Sequence, residues 1–373
     1  MENEIPVIAV TGGACGGKTA FLEKVLPEKL MGLGFRYFPV PEIPTLMIPY
    51  GIPDISNLRT SELKKYVEVE RQFLLTHLAM RDKAIDFARV FPEDKCVVGC
   101  DRGAKDVKAH LPEGVFEAIC EEEGLTLADV QDCYKVVIDM VTAADGAENY
   151  YTLENNKARQ ENAEEARMAD IRTREAWNGH PKLRIIKSCE DFSLKMNRAT
   201  SAVLHELGLP APIEIEKKFL VRKRPDFRSQ ELKKAVKVFI EQIYLNAPSG
   251  EESRIRRRTQ GASSIYFKTK KIPVVGSTVA RQEMEHVISP LDYIYFQQFR
   301  ELKIKTVRKW RYCFIHNYQY FELDEIFEPQ KLWLLEIELT EENDKVDLPP
   351  FLVIEREVTG EAKYTNHGIA RGL

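Results

Sequence analysis

The stretch Val7 to Thr19, VIAVTGGACGGKT, has the residue types and spacing to hold an anion. Gly12, Gly17, Lys18 and Thr19 fit the pattern G-x-x-x-x-G-K-[ST] without a mismatch. Glycines let the backbone curl so that successive N–H groups point into one concavity. A helix starting just after the loop adds its positive end. The Lys18 ammonium would reach terminal phosphates, and the Thr19 hydroxyl would ligate Mg²⁺. Gly12, Gly13, Ala14, Cys15, Gly16, Gly17, Lys18 and Thr19 are therefore the expected cradle for a nucleoside triphosphate, ATP or GTP. Cys15 has two readings: a small residue that fits, or a thiol whose oxidation would block binding.

A second charged set begins near residue 213. Glu214-Ile215-Glu216-Lys217-Lys218 opens it, followed by Arg254-Ile255-Arg256, Lys268-Thr269-Lys270, Glu283-Met284-Glu285, Lys309-Trp310-Arg311, Asp324 and Glu336-Ile337-Glu338. Neighbouring side chains on a strand point to opposite faces. The charges at i and i+2 would then share one face, with Ile215, Ile255, Phe267, Met284, Trp310 and Ile337 on the other. The sign changes from strand to strand: seven basic residues and no acid lie between Ser253 and Lys271, whereas the glutamate pairs are acidic. Such strands closing into a barrel would enclose a hydrated lumen. Carboxylates there suit hard divalent cations, and Lys and Arg suit polyphosphate oxygens. A metal between phosphate and acidic wall would polarise a phosphoryl group toward water.

The elements around the first motif read as a parallel α/β unit. Expected strands are Val7–Thr11, Phe35–Pro39, Cys96–Cys100, Lys135–Met140 and Leu183–Ile186. A long helix spans Leu63 to Phe87, with Leu63, Tyr66, Val67, Phe73, Leu74 and Leu78 along one side. Strands separated by helices imply right-handed crossovers and a parallel sheet. Ligands bind at the carboxyl ends of such strands, where Gly12, Glu42 and Asp101 fall. Asp101 has three readings: a contribution to the Mg²⁺ shell, a proton acceptor for a substrate hydroxyl, or a helix N-cap. Arg102 follows it as a nucleotide contact, and Glu42 is either a substrate contact or a solvated turn residue. Between Tyr150 and Arg174, Arg159, Arg167, Arg172 and Arg174 sit in a charged helical stretch. It reads equally as a mobile lid over phosphates and as a solvated helix with internal ion pairs.

Composition sets limits. A chain of 373 residues exceeds one typical core, so two domains are expected, 1–208 and 213–373, joined at Leu207-Gly208-Leu209-Pro210-Ala211-Pro212. Hydrophobic content of 44% and charged content of 30% are ordinary for a globular protein. A net charge of -4 argues against bulk nucleic-acid binding. No apolar run approaches a membrane span. The acidic opening MENEIPVIAV does not read as a targeting peptide, so a cytoplasmic location is expected. Seven scattered cysteines without a C-x-x-C pair fit reduced thiols.

The GGACGGKT loop, CVVGCDRG and the charged stretch before WNGHPKLRIIKS resemble the nucleoside-kinase-like, AAA-related P-loop NTPases. Such domains often carry an Asn after the last strand, where this chain has Lys187-Ser188. Asn156-Lys157-Ala158-Arg159 lacks the Asp of an N-K-x-D element, which leaves the base preference open.

From Ile213 to Ala370 the chain resembles the CYTH domain, the triphosphate tunnel metalloenzyme fold. The resemblance rests on E-x-E-x-K at Glu214, Glu216 and Lys218, followed in order by R-I-R, F-K-T-K, R-Q-E-M-E, K-W-R, E-I-E-L and E-R-E-V-T-G-E-A-K-Y-T-N. It implies an eight-stranded antiparallel tunnel binding triphosphate compounds with Mg²⁺ or Mn²⁺. Members include inorganic, thiamine and RNA triphosphatases and class IV adenylate cyclases. By that resemblance Glu214, Glu216, Glu336 and Glu338 would be metal ligands. Lys218, Arg254, Arg256, Lys268, Lys270, Lys309 and Arg311 would grip phosphate, with Lys363 and Tyr364 closing one end. Glu283, Glu285 and Asp324 would complete the metal or water-activating set.

The expected fold class is thus an α/β P-loop NTPase domain followed by an antiparallel β tunnel. That combination is similar to the TRPL translocation defect protein family, linked to GTP and anionic phospholipids, and more distantly to plant uridine-kinase-like CYTH proteins. Two function classes follow. One is a metal-dependent phosphohydrolase acting on inorganic or organic polyphosphates. The other is a nucleotide-controlled adaptor whose surplus cations, Arg257, Arg258 and Lys271, bind anionic phospholipid headgroups.

Overall fold

The computed structural model describes residues 5–52, 55–150, 162–209, 215–248, 251–273, 281–340 and 344–373. The chain divides into two compact units, Met1–Glu206 and Leu207–Leu373. No described helix is long and apolar enough to cross a membrane.

In the first unit, five strands form a parallel sheet: β1 (Val7–Thr11), β2 (Phe35–Val40), β3 (Lys95–Asp101), β4 (Val136–Met140) and β5 (Leu183–Ile186). Their order is β2-β3-β1-β4-β5. β1 and β4 are buried along their whole length. Parallel strands are covered on both faces, so these two read as continuous apolar runs rather than alternating ones. The register sets Val10 beside Asp101 and Thr11 beside Asp139, which aligns the carboxyl ends of three strands.

Helices separate the strands: residues 18–32 (α1), Ile55–Ser61 (α2), Leu63–Arg89 (α3), Ala163–Ala176 (α4) and Phe192–Glu206 (α5). A π-helical turn, Phe21–Val25, interrupts α1. α3 buries Tyr66, Glu70, Phe73, Leu74, His77, Leu78 and Arg81, one stripe at helical spacing that includes polar residues. α4 starts at a capping box. The Asn162 side chain accepts from the amides of Glu164 and Glu165, and Glu165 accepts from the Asn162 amide at 2.8 Å.

The second unit is one antiparallel sheet. Its strands are β6 (Glu216–Val221), β7 (Val236–Leu245), β8 (Glu252–Gln260), β9 (Ser263–Pro273), β10 (Arg281–Ile288), β11 (Val307–His316), β12 (Gln319–Glu328), β13 (Leu332–Glu338) and β14 (Ile354–Glu357). The order is β10-β9-β8-β7-β11-β12-β13-β6-β14. The described residues thus hold nine strands where eight were expected, because short β14 adds itself to the free side of β6. Among those residues β10 and β14 pair with no further strand.

Two tight turns fix much of the register. Gly261-Ala262 joins β8 to β9 and pairs Gln260 with Ser263. Asn317 and Tyr318, at φ 47° and 59°, join β11 to β12 in the left-handed geometry that suits hairpin twist. Apolar residues cover part of each sheet face. Tyr293 of helix α6 (Pro290–Phe296) packs on Ile243, Leu245 and Ile255. On the charged face, Val307, Ile326 and Leu334 pack with Ile369 and Ala370 of helix α7 (Asn366–Arg371). Ile369 is fully buried, which stabilises this end by roughly 1.5–3 kcal/mol.

Candidate functional site

In the first unit, the loop between β1 and α1 takes positive φ at Gly12 (117°), Cys15 (56°) and Gly17 (91°). A Cβ on Gly12 or Gly16 would lie 2.2 or 2.4 Å from the Met140 carbonyl oxygen, so the loop can rest on the end of β4 only with glycine there. Lys18 is buried and its Nζ donates to the carbonyls of Gly12 at 2.9 Å and Gly13 at 2.8 Å. Burial and the neighbouring Arg102 charge lower its pKa. Thr19 is exposed on the first turn of α1.

Residues outside the motif hold this loop in place. Asp170 of α4, 1% exposed, accepts from the Gly13 amide at 2.5 Å and the Thr142 amide at 3.3 Å. The Thr142 hydroxyl donates to the Ala14 carbonyl at 2.5 Å. Arg174 forms ion pairs with both Asp170 and Asp139. Arg174 is therefore not a lid arginine: it is a buried bridge between α4 and β4. Arg167 binds the Ala144 carbonyl at 2.6 Å and pairs with Glu164. Arg159 lies outside the described residues. Docking of α4 through Ala166, Asp170, Thr173 and Arg174 favours a fixed element over a mobile lid for this part of the stretch. A helix with three buried polar residues carries no clean apolar stripe, which is why its pattern leaves a lid and a solvated helix equally open.

Asp101 ends β3 with Oδ1 buried and without a hydrogen-bond partner. Burial pushes its pKa up to about 6, against the pull of Lys18. The following helical turn is capped instead at Gly103, whose amide donates to Asp106 at 2.5 Å, so the N-cap reading of Asp101 falls away. Arg102, at φ 71°, donates to Glu42 at 2.6 Å and to the Gly12 carbonyl at 3.3 Å. Burial raises the Glu42 pKa, but Arg102 and Lys18 outweigh it and hold the carboxyl at about 2. Glu42 is thus an ion-pair partner and not a solvated turn residue.

In the second unit, directly paired residues share a sheet face. One face carries Glu216 and Lys218 of β6, Glu336 and Glu338 of β13, Glu322 and Asp324 of β12, and Lys309 and Arg311 of β11. It continues through β7 to Arg254, Arg256 and Arg258 of β8, Thr269 and Lys271 of β9, and Glu285 of β10. The side chain of Glu283, like all of Glu214, lies outside the described residues.

The middle of this face is a connected ionic cluster. Lys218 Nζ lies 2.7 Å from Glu336 and 3.0 Å from Glu216. Arg311 reaches Glu336 at 2.6 Å, grips both oxygens of Asp324 at 2.7 Å and also pairs with Glu322. Lys309 pairs with Asp324 and donates to Asn366 Oδ1 at 3.2 Å. Asp324 is 0% exposed, and Glu336 and Lys309 2%. Burial disfavours ionised Glu336, but Lys218, Lys309 and Arg311 together hold its pKa well below the carboxylate range. The Lys218 pKa is raised: burial opposes charging, and Glu216 and Glu336 overcome it. Burial pushes Glu322 up despite Arg311. A smaller cluster joins Arg256 and Thr269 to Glu285 at 2.8 and 2.7 Å.

Several expected residues are elsewhere. Lys268 and Lys270 lie on the opposite face, paired with Ile255 and Ser253. The reason is the two-residue turn: pairing Gln260 with Ser263 sets even-numbered β8 residues against odd-numbered β9 residues. Lys268 sits 3.8 Å from the centre of the Phe296 ring, and Lys270 pairs with Glu251 at 2.8 Å. Lys363 is exposed on the turn before α7, against Tyr364. Asp324, like Glu336, has both oxygens engaged by cations. The surplus cations form no free basic surface among the described residues: Arg258 is buried on the charged face, Arg257 pairs with Glu241 at 3.3 Å and Lys271 faces Glu252. Glu322 and Thr269 were not anticipated. Glu322 stands two residues before Asp324 in β12, a spacing that would have flagged it.

Glu216 and Glu338 face each other directly across β6 and β13. Opposed like charges are destabilising, and oxygen donors of this kind suit Mg²⁺ or Mn²⁺. Glu216, Glu338 and the adjacent Glu336 therefore fit a hard divalent cation.

Residues 212–372 match the family model of the CYTH domain. A crystal structure of the inorganic triphosphatase NE1496 is 30% identical, covering 43% of this chain and 95% of its own, with a TM-score of 0.30. The PH1819 protein from Pyrococcus horikoshii OT3 is 22% identical, covering 34% and 79%, with a TM-score of 0.25. The HpAC1 protein from Hippeastrum, described as having a dominant triphosphatase activity, is 16% identical, covering 35% and 80%, with a TM-score of 0.27. No curated protein matches the chain.

Proposed function

Because residues 212–372 are a CYTH domain, we propose that the second unit hydrolyses a triphosphate compound with a divalent metal. The buried chain Lys218–Glu336–Arg311–Asp324–Lys309 carries this reading. Buried ion pairs are often replaceable by apolar residues at no loss of stability, so a whole cluster of them is an expensive way to fold. It is a suitable way to hold a polyanion. Lys218, Lys309 and Arg311 would exchange carboxylate partners for phosphate oxygens, with the guanidinium binding two oxygens at once. Arg254 and Arg256 extend the same face for a longer chain. Glu216, Glu336 and Glu338 would hold Mg²⁺ or Mn²⁺, which supplies charge neutralisation and phosphoryl polarisation when bound.

For the first unit we infer nucleoside triphosphate binding, ATP or GTP, in the loop Gly12–Thr19. Lys18 would leave the Gly12 and Gly13 carbonyls for the phosphates, and Thr19 would meet a metal. Asp101 would serve that metal's shell or accept a proton. The adaptor reading loses the surface that motivated it, since Arg257 and Arg258 are already engaged or buried.

Phosphate release from tripolyphosphate, pyrophosphate, ATP and GTP with Mg²⁺ or Mn²⁺ tests the assignment. Lys218→Ala should lower tripolyphosphate hydrolysis at least ~100-fold, whereas Lys18→Ala should leave it. Hydrolysis that survives in Lys218→Ala removes the charged face from the reaction.

A further inference from the structure

The charged face of the second unit runs on past its central cluster. Arg258 is in register with Ile240, and Ile240 with Lys309 of that cluster. Arg256 and Arg254 follow on the same face, two and four residues back along β8, or about 7 and 13 Å by strand rise. Arg254 therefore stands where a chain longer than a triphosphate would place its next phosphate.

A carboxylate already occupies that place. Glu252 shares the face, is 9% exposed and lies 3.7 Å from Arg254. Its register partner on β9 is Lys271. Helix α7 adds His367, whose Nδ1 lies 3.8 Å from the same carboxylate. The His367 ring packs at 4.9 Å on Tyr244, the register partner of Arg254. The neighbouring Asn366 meets Lys309 at 3.2 Å, so the start of α7 touches both the central cluster and this one.

The two clusters differ in what can draw their acids away. In the centre, Glu216 opposes Glu338, and a divalent metal would take up those carboxylates while the bases turn to phosphate. Glu252 has a lysine opposite it, so no metal would draw it off Arg254. Nor is there an excess of cations at this end. Arg256 pairs with Glu285 at 2.8 Å, and Lys271 is in register with Glu283 as well as with Glu252.

We propose that Glu252, held by Arg254 and by His367 of α7, is a built-in anion in the place of a fourth phosphate, and that it limits the second unit to chains of three. This rests on the triphosphate reading of the charged face. With Glu252 neutral, Arg254 and Lys271 lose that carboxylate, and a fourth phosphate supplies the missing charge while His367 donates to its oxygens.

The test is calorimetric titration of tripolyphosphate and tetrapolyphosphate, without metal, into the full chain carrying Lys18→Ala, which removes the phosphate loop as a second polyanion site. With Glu252 in place the two ligands should bind within ~3-fold of each other, whereas Glu252→Gln should favour tetrapolyphosphate at least ~10-fold. Adding His367→Gln to Glu252→Gln should take back part of that gain. Tripolyphosphate affinity should stay the same throughout, which also reports that each variant is folded. Glu252→Thr, a residue suited to strands, serves as a second variant with the same expected preference. A tenfold preference for tetrapolyphosphate with Glu252 intact, or a ratio that neither Glu252 variant moves, overturns the inference. A chain that binds neither ligand overturns the triphosphate reading as well. The expected binding pattern without phosphate release in Mg²⁺ would overturn only the hydrolase reading and leave the chain-length limit standing.

Discussion

Replacing Asp324 by Asn isolates the role of the buried cluster. Asp324 is 0% exposed; its two oxygens hold Arg311 bidentately, and one of them also holds Lys309. The amide keeps the shape and one acceptor oxygen for Arg311. It loses the charge and turns an NH₂ group toward cations. Arg311 retains Glu336 and Glu322, but Lys309 keeps only the neutral Asn366 as a hydrogen-bond partner among the described residues, with Glu336 as its remaining counter-charge. Removing one partner of a buried ion pair typically costs about 3–5 kcal/mol, and the surviving Arg311 contacts place this case near ~3. For a unit of this size that is a fall of roughly 6–12 °C in the second unit's Tm.

Tripolyphosphate should reverse part of that loss. The variant leaves positive charge uncompensated on the face that binds the polyanion, so ligand supplies what Asp324 no longer does. Saturation at about 100 times Kd stabilises either protein by roughly 2.7 kcal/mol at its own Kd. The distinguishing quantity is therefore the Tm deficit at one fixed ligand concentration, which should shrink. Thermal unfolding of wild type and D324N, with and without tripolyphosphate and no metal, measures it. A deficit under ~1 kcal/mol would show that Asp324 does not carry the bases. A deficit that ligand leaves untouched would separate the cluster from polyphosphate binding.

Other outcomes follow from the same geometry. Arg256→Ala should lower tripolyphosphate hydrolysis at least tenfold more than Lys268→Ala, since the register turns Lys268 to the opposite face; equal rates in the two variants would contradict that register. Glu336 has a folded pKa far below the unfolded value of about 4.3, so its contribution is complete above that pH and is lost as pH falls toward the folded pKa. Denaturant titrations from pH 6 to 3 should show that loss, and Glu336→Gln should flatten it. Asp101 must be ionised to accept a proton, so kcat/KM for nucleotide turnover by the first unit should rise through pH about 6, and Asp101→Asn should abolish that limb. Asp170→Ala should raise the KM for nucleotide several-fold by freeing the Gly13 amide while Asp170→Asn, which keeps an acceptor, largely restores it; equal KM values would make Asp170 irrelevant to the loop.

How far the residues themselves could lead depends on which physical signal each relied on. The phosphate loop was legible because it needs local conformation alone: glycine at Gly12 and Gly17, a preceding apolar strand and a following helix. The parallel sheet was legible for the same reason, since β1 and β4 are unbroken apolar runs. Charge alternation likewise announced a charged face in the second unit. It could not say which parity of β9 occupies that face, because Phe267 and Thr269 alternate with Lys268 and Lys270, and both sides of this strand carry buried or half-buried residues. The deciding fact is the length of the Gly261-Ala262 turn, and reading forward from that turn would have chosen Thr269 over Lys268. Asp170, Arg174 and Asp139 were opaque for a different reason. Each is an unremarkable charged residue in its own segment, and only the docking of α4 over the end of β4 makes one buried bridge of the three. Local motifs therefore identified where phosphate can be held. Which side chains hold the loop, and which lysines face the polyanion, was fixed by contacts between segments far apart in the chain.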